Sequence, residues 1–373
     1  MIYLDNSATT QPCPQAVEAA LTCMEQVWGN PSALYRFGAE AARAEKTART
    51  QVAQALGAPA ERVFFTSGGT EADNWAIFST MARMGKRGKH VITTGVEHHG
   101  VLRPMQQLEA QGYTVTYLPP DRQGRVSAQA LAQALRPDTV LVSVMMVNNE
   151  TGAVMPIREM VSLTRRAAPQ AIFHTDAVQG FLKVPFQAKT LGADLISVSA
   201  HKIHGIKGAG ALYIRPGLTL PPYLYGGGQE QGYRSGTEAM PAICAFGAAC
   251  AAARPAQDTA HMAQCRDEAL ALLAQVPGLL LLGAHEAPHI ILASLPGIPV
   301  QSTINLLQDR EICVSAGSAC AKGHRSHVLQ AMGLAPAVMD GAFRISLSRN
   351  TTQQELSALA RALGEVSAKM GRR

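Results

Sequence analysis

The chain has 373 residues, a net charge of +6 and 47% hydrophobic residues, which is enough apolar material for a large core. This length favours two domains over one, and the low share of charged residues, 16%, excludes an intrinsically disordered chain. Because the positive charge is mild and forms no long runs of Lys or Arg, we expect no direct contact with nucleic acid.

The seven cysteines are odd in number and form no C-x-x-C pair. This pattern argues against a disulfide scaffold and a zinc ribbon, and we expect no metal site. The longest run of small apolar residues, 242–253, is too short to span a bilayer and is interpreted as a buried helix. The sequence therefore predicts a cytoplasmic protein that does not associate with membranes.

The first two thirds of the chain predict an α/β unit. An Ala-, Glu- and Arg-rich segment, 37–56, predicts a helix that ends at Gly57. Short apolar runs then alternate with helical stretches, which is typical of a mostly parallel sheet covered by helices. The runs that we interpret as strands are 63–66, 90–94, 114–118, 140–147, 171–175, 194–199 and 211–214.

The pattern changes after residue 255. A long helix near 257–276 precedes short strands and helices, a strictly alternating strand at 343–348, and a last helix that opens with the capping-box spacing Thr352 to Glu355. We therefore predict a large domain at 15–255. The predicted second, smaller α+β domain combines 1–14 with 256–373 and carries the loop of Cys320.

Gly68, Gly69 and Thr70 stand between a predicted strand and a predicted helix. Unsatisfied N–H groups at such a helix start can bind a phosphate, and the Thr70 hydroxyl can add a hydrogen bond. A plain strand–turn–helix connection is the alternative, and this motif alone does not decide between them.

Asp176 and Lys202 follow neighbouring apolar runs. A carboxylate at the end of a buried strand can pair with a protonated ring nitrogen, although Asp176 could equally cap a turn. A lysine that closes an apolar strand can have a depressed pKa and form a Schiff base, although Lys202 could also be a surface residue. A pyridoxal-phosphate site requires three groups: a turn that binds the phosphate, an acid for the ring nitrogen and a lysine that forms the imine. The sequence offers a candidate for each.

Cys320 stands among Gly, Ser and Ala, and is followed by Lys322, His324 and Arg325. These basic groups favour the thiolate, so Cys320 is the candidate reactive cysteine. The other six cysteines are interpreted as small buried hydrophobic residues.

The chain is similar to the class V aminotransferase-like, fold-type I pyridoxal-phosphate enzymes, and within them to the NifS/IscS-type cysteine desulfurases. The resemblance extends over nearly the whole chain. The motifs that carry it are LDNSATT, TSGGTEADN, the EHH of 97–99, NNETG, HTDAVQ, SAHKIHG, GGGQEQGYRSGTE, SAGSAC and FRISLSRNTT.

The resemblance implies a role for each matching residue. Lys202 holds the cofactor and shuttles protons, His98 stacks on the ring and assists acid–base steps, and Cys320 attacks the sulfur of L-cysteine, leaving a persulfide and alanine. Asp176 pairs with the ring nitrogen and Gln179 with the ring hydroxyl. The residues implied to bind the phosphate are Gly69, Thr70, Ser199, His201 and, from the other subunit of a homodimer, Thr237. Asn149, beside the cofactor, and Arg344 are implied to hold the substrate carboxylate.

Several functions stay open at this stage. Another pyridoxal-phosphate reaction on the same fold (transamination, cysteine or selenocysteine lysis) would not need a thiol such as Cys320. A non-catalytic sulfur-carrier or docking protein would need neither Lys202 nor Asp176. The resemblance implies a protein that accepts the sulfur, either an iron–sulfur scaffold or a tRNA-thiolation protein, without choosing between them.

Overall fold

The computed structural model describes residues 1–316 and 325–370, so Cys320 lies outside the described residues. The strands of this part are β1 (Ile2–Tyr3), β2 (Val63–Thr66), β3 (His90–Thr94), β4 (Thr114–Leu118), β5 (Thr139–Ser143), β6 (Ile172–Asp176), β7 (Leu195–Ser199), β8 (Gly210–Ile214), β9 (Leu280–Leu282), β10 (Ile290–Ser294), β11 (Ile312–Cys313) and β12 (Ala342–Ser346).

Helices alternate with these strands through the first two thirds of the chain. The helices are α1 (Pro14–Glu25), α2 (Arg36–Leu56), α3 (Gly69–Met84), α4 (His99–Ala110), α5 (Ala128–Ala134), α6 (Ile157–Ala167), α7 (Ala188–Leu191), α8 (Met240–Ala252), α9 (Pro255–Leu273), α10 (Val300–Gln308), α11 (His327–Ala331), α12 (Pro336–Asp340) and α13 (Gln353–Met370). In the described ranges, no helix is both long and apolar enough to cross a membrane.

The large sheet runs in the order β2-β8-β7-β6-β5-β3-β4 within the described residues. Its central strands are parallel, and β8 runs antiparallel to both β7 and β2. Most of the strands, β2, β3, β5, β6, β7 and β8, are buried along their whole length. Helix-covered strands lose contact with water on both faces, which is why these sequences are continuously apolar. The predicted mostly parallel, helix-covered sheet is therefore confirmed.

One predicted strand was too long. The apolar run 140–147 was interpreted as a single strand, but β5 ends at Ser143. Val147 instead forms a bridge with Val154, and the side chain of Asn148 accepts the N–H groups of Glu150 and Thr151 to close a turn between them. An apolar run that continues past a strand into a buried turn cannot be separated from the strand by hydrophobicity alone.

A second core lies around β10 and β12, which pair antiparallel and pack with α9, α10 and α13. The N-terminal segment reaches this core: β1 pairs with β11, and Leu4 is fully buried there. The predicted capping box at the start of α13 is present, since Thr352 and Glu355 exchange hydrogen bonds. The exact division of the chain into two domains stays a prediction.

Candidate active site

A cavity of about 340 Å³ opens where the carboxyl ends of β6 and β7 meet the start of α3. Its position beyond the strand ends is the usual ligand site of such sheets, and its size suits a small molecule. Ten of the sequence-predicted site residues line it: Gly69, Thr70, His98, Asn149, Asp176, Gln179, Ser199, His201, Lys202 and Arg344. Residues that lie far apart in the sequence are therefore brought together at one place.

Lys202 lies in a 3₁₀ turn directly after β7 rather than in the strand itself. Its Nζ donates to the backbone oxygens of Ser7, at 2.6 Å, and Ala8, at 2.7 Å. Burial, together with the nearby positive charge of Arg344, lowers the pKa of Lys202 to about 8. Near that pH half of the amine is neutral, which is the form that attacks an aldehyde to make a Schiff base.

Asp176 is the last residue of β6 and is only 5% exposed. Its Oδ1 accepts the backbone N–H of Val178 at 2.9 Å, so it also caps the following turn. Burial raises the pKa of Asp176, while the neighbouring His98 and Lys202 act in the opposite direction. A buried carboxylate in this position is stabilised by a cation, such as a protonated ring nitrogen, placed in the cavity.

The start of α3 forms a cradle for an anionic group together with Ser199 and His201. Gly69 has no room for a side chain, because a Cβ would lie 2.6 Å from Cγ2 of Val178. The buried Oγ of Ser199 has no hydrogen-bond partner among the described residues. First-turn N–H groups and an unpartnered hydroxyl together fit the oxygens of a phosphate. The residues present therefore fit the phosphate of pyridoxal phosphate.

His98 caps α4, and its Nδ1 accepts the backbone N–H of Gly100 at 3.0 Å. An accepting Nδ1 requires the neutral ring with its proton on Nε2. Desolvation lowers the pKa of His98, although the nearby Asp176 opposes this effect. The neutral imidazole thus stands at the cavity wall, ready to exchange a proton or to stack on a planar ring.

Arg344 and Asn149 also line the cavity and contact each other. Nη1 of Arg344 donates to the backbone oxygen of Asn149, and Nη2 donates to Oδ1 of Asp5, both at 2.7 Å. Its Nε is buried without a hydrogen-bond partner in the described chain. The guanidinium is therefore positioned by the protein while part of its donor set stays free to bind a carboxylate.

Gln179 is buried and held from two sides. Its amide nitrogen donates to the backbone oxygen of Ser7 at 2.9 Å, and its Oε1 lies 3.4 Å from Nε2 of His289. The N-terminal segment therefore contacts both Gln179 and Lys202, which explains how residues 5–8 take part in a site built mainly by the large sheet.

Sequence reasoning did not assign roles to several polar residues at or near the cavity. Asp73 lines the cavity, Asp5 pairs with Arg344, and Nε2 of His174 lies 3.6 Å from Oδ1 of Asp73. Asp73, His98 and Asp176 each place one nitrogen or oxygen atom within 4.8 Å of the others. Such atoms can bind cations, but this cluster shares its cavity with Lys202 and the phosphate cradle, so we do not assign it to a metal.

Of the other predicted residues, one does not line the cavity and one lies outside the described residues. Thr237 is exposed and does not line it, so its role in a partner subunit stays a prediction. Cys320 lies outside the described residues; Ser315, shortly before it in the sequence, lines the cavity. Cys13, Cys23, Cys250 and Cys265 are buried, as predicted, whereas Cys244 and Cys313 are partly exposed.

Known proteins resemble the chain over nearly its whole length. Residues 2–359 match the family model for aminotransferase class-V. Cysteine desulfurase IscS of Methanosarcina thermophila is 40% identical over 375 residues, which cover 99% of this chain and 92% of the relative. A solved NifS-like protein has a TM-score of 0.93 at 34% identity and covers 99% of both chains. SspA, solved in complex with cysteine, has a TM-score of 0.84 at 32% identity, covering 94% of this chain and 100% of its own.

Proposed function

The chain belongs to the aminotransferase class-V family and, within it, to the cysteine desulfurases, and we propose that it moves sulfur from L-cysteine to Cys320 with pyridoxal phosphate held by Lys202. The assignment of the site depends on one observation: Lys202, Asp176 and the residues of the phosphate cradle line the same cavity. A carrier or docking protein would need none of these features.

When bound, pyridoxal phosphate supplies an electron sink for the electrons released at the substrate's α-carbon. Lys202 holds the cofactor through its Nζ and, once displaced by substrate, moves protons at that carbon. Asp176 keeps the ring nitrogen protonated, and Gln179 contacts the ring hydroxyl. His98 stacks on the ring. The proposed contacts to the phosphate are those of Gly69, Thr70, Ser199 and His201, with Thr237 from a second subunit.

The sulfur step is assigned to Cys320. Its thiolate attacks the substrate sulfur, so that a sulfur–sulfur bond forms while the carbon–sulfur bond breaks. The electron pair of the broken bond stays on carbon, which takes up a proton to give alanine, and Cys320 keeps the sulfur as a persulfide. Another pyridoxal-phosphate reaction on this fold would not require such a thiol, and this is why we favour desulfuration.

The wider setting follows from the same assignment. We propose a homodimer, supported by the exposed position of Thr237 and by large apolar side chains on the surface, among them Trp28, which is 69% exposed, and Tyr35, which is 63% exposed. Unpaired cysteines in the described chain support a reducing, cytoplasmic setting. The persulfide is delivered to an acceptor protein, either an iron–sulfur scaffold or a tRNA-thiolation protein.

Replacing Arg344 by alanine is expected to raise KM for cysteine while the cofactor stays bound. Removing one partner of a buried charged contact costs about 2 kcal/mol or more, which corresponds to about 30-fold in KM. Steady-state kinetics with a cofactor absorption spectrum checks this, with Arg344→Lys as the charge-retaining control. Loss of cofactor with an unchanged KM would move Arg344 to a different site.

Replacing Asp176 by alanine tests the electron-sink assignment directly. We expect alanine formation from L-cysteine to fall by about 10²-fold or more, because the ring nitrogen loses the group that keeps it protonated. The measurement is the yield of alanine over time, with the thermal unfolding midpoint recorded to exclude misfolding. Near-normal turnover with an unchanged absorption spectrum would contradict the role of Asp176, and a wild-type protein that makes no alanine would contradict the function.

A further inference from the structure

Two buried carboxyl groups, Asp73 and Asp176, line the cavity that is proposed to hold the cofactor. Asp73 on α3 is 1% exposed and Asp176 is 5% exposed. One oxygen of each lies within 4.8 Å of the other and of a ring nitrogen of His98. Two carboxylates at this spacing, both removed from water, cannot both be ionised without strong repulsion, so the pair is expected to share a proton.

The surroundings decide which of the two carries the charge. Asp176 accepts the N–H of Val178 and faces His98 and Lys202, which both favour its ionised form. Oδ1 of Asp73, in contrast, has no hydrogen-bond partner among the described residues.

The other titratable groups around Asp73 supply no positive charge. Nε2 of His174 lies 3.6 Å from Oδ1 of Asp73, but burial lowers the pKa of His174 to about 3, so the ring is neutral. Glu97 is also buried, and burial raises its pKa to about 8. Burial and the charge of Asp176 raise the pKa of Asp73 well above its usual range, and these effects outweigh the hydrogen bond with Ser197, which acts in the opposite direction.

A chain of neutral groups can accept a hydrogen bond from a protonated Asp73. Asp73 hydrogen-bonds Ser197, the Oγ of Ser197 lies 2.9 Å from Nε2 of His174, and Nδ1 of His174 lies 2.8 Å from Oγ of Ser143. With Asp73 protonated, its O–H donates to Ser197, Ser197 donates to His174, and His174 donates to Ser143. The hydroxyls of Ser197 and Ser143 and both ring nitrogens of His174 are then paired.

We propose that Asp73 is a positioning residue that stays protonated and thereby leaves the single negative charge of the carboxyl pair on Asp176, facing the cofactor's ring nitrogen. This role rests on the proposed function, because it gives Asp176 the ionisation state that a protonated ring nitrogen requires. Asp73 acts through Asp176 and performs no chemical step itself.

Infrared spectroscopy of the protein at neutral pH tests whether Asp73 is protonated. The measurement can be made with or without bound cofactor. A buried protonated carboxyl has a C=O stretching band that a carboxylate lacks. We expect Asp73→Asn to lose one such band and Glu97→Gln, the matched control, to lose a different one. Carbon NMR of wild-type protein labelled at the aspartate carboxyls gives the same answer without a variant: one buried aspartate should stay protonated at neutral pH. Unchanged bands in Asp73→Asn, or no protonated aspartate by NMR, would overturn the proposal.

The effect of Asp73 on the ionisation of Asp176 is measured by following the absorption of the bound cofactor as a function of pH. Because Asp73 is neutral in this account, Asp73→Asn keeps the charge and the shape of the group and should leave the acid limb of this titration near its wild-type position. A negative charge on Asp73 would hold the pKa of Asp176 up by repulsion, so its removal would move the limb to lower pH. A clear shift of the limb to lower pH in Asp73→Asn would therefore show that Asp73 is ionised in the wild-type protein and would overturn the proposal. A protein that binds no cofactor but keeps the Asp73 band refutes the proposed function alone.

Discussion

Replacing Lys202 by alanine is expected to abolish both the visible absorption of bound cofactor and the production of alanine. The loss of proton transfer by a positioned side chain alone accounts for about 10²–10⁴-fold in rate. The Schiff base is lost in addition, because Lys202 is the only lysine among the described residues that line the cavity. We therefore expect turnover below detection.

Two measurements make this result specific to Lys202. Reduction of the wild-type holoprotein with borohydride, followed by peptide mass analysis, should place the cofactor on the Lys202 peptide. Lys207, an exposed lysine of the same segment, provides the matched control, and Lys207→Ala should keep the absorption. Normal alanine release by Lys202→Ala, or cofactor mass on a different lysine, would show that the cofactor assignment is wrong.

The pKa of Lys202 adds a pH dependence to this test. Since burial lowers the pKa to about 8, the neutral amine is a minor species below that pH and the main species above it. The rate at which cofactor-free protein takes up pyridoxal phosphate should thus rise with pH and level off above about 8.

Much of the fold was predictable because local pattern and tertiary structure agree. Strands buried on both faces give continuous apolar runs, and β2, β3 and β4 begin and end where the hydrophobic pattern predicts. Gly57 ends α2 in the left-handed conformation that its position indicated, with φ of 64°. The strand β5 was misjudged because a buried turn is as apolar as the strand before it.

Only part of the site was predictable, and the residues that were missed were missed for the same reason. Asp5 reaches Arg344 from the other end of the chain, and Asp73 reaches Asp176 from a helix across the sheet edge. Neither pairing can be recognised from the neighbouring residues in the sequence. An aspartate whose partner is distant in the sequence looks the same there as an aspartate on the surface. Asp176 and Lys202 were recognisable because each lies at the carboxyl end of a buried strand, Asp176 as the last residue of β6 and Lys202 in the turn after β7.

Replacing Cys320 by serine is expected to leave the fold and the cofactor absorption intact while sulfur transfer stops. A thiolate is a good nucleophile toward sulfur, and a serine hydroxyl at neutral pH is not. We expect persulfide formation to fall below detection, a loss as large as that of Lys202→Ala. Cys313→Ser is the matched control, since Cys313 lies on β11 nearby in the sequence and is partly exposed, and it should retain activity.

The central claim is that sulfur from L-cysteine comes to rest on Cys320. Incubation of the purified protein with L-cysteine, trapping with a thiol-alkylating reagent and peptide mass analysis measures this directly. An added sulfur atom on the Cys320 peptide, absent from Cys320→Ser and from Lys202→Ala, is the expected result. Sulfur found on Cys313 instead, or sulfide release undiminished in Cys320→Ser, would contradict it.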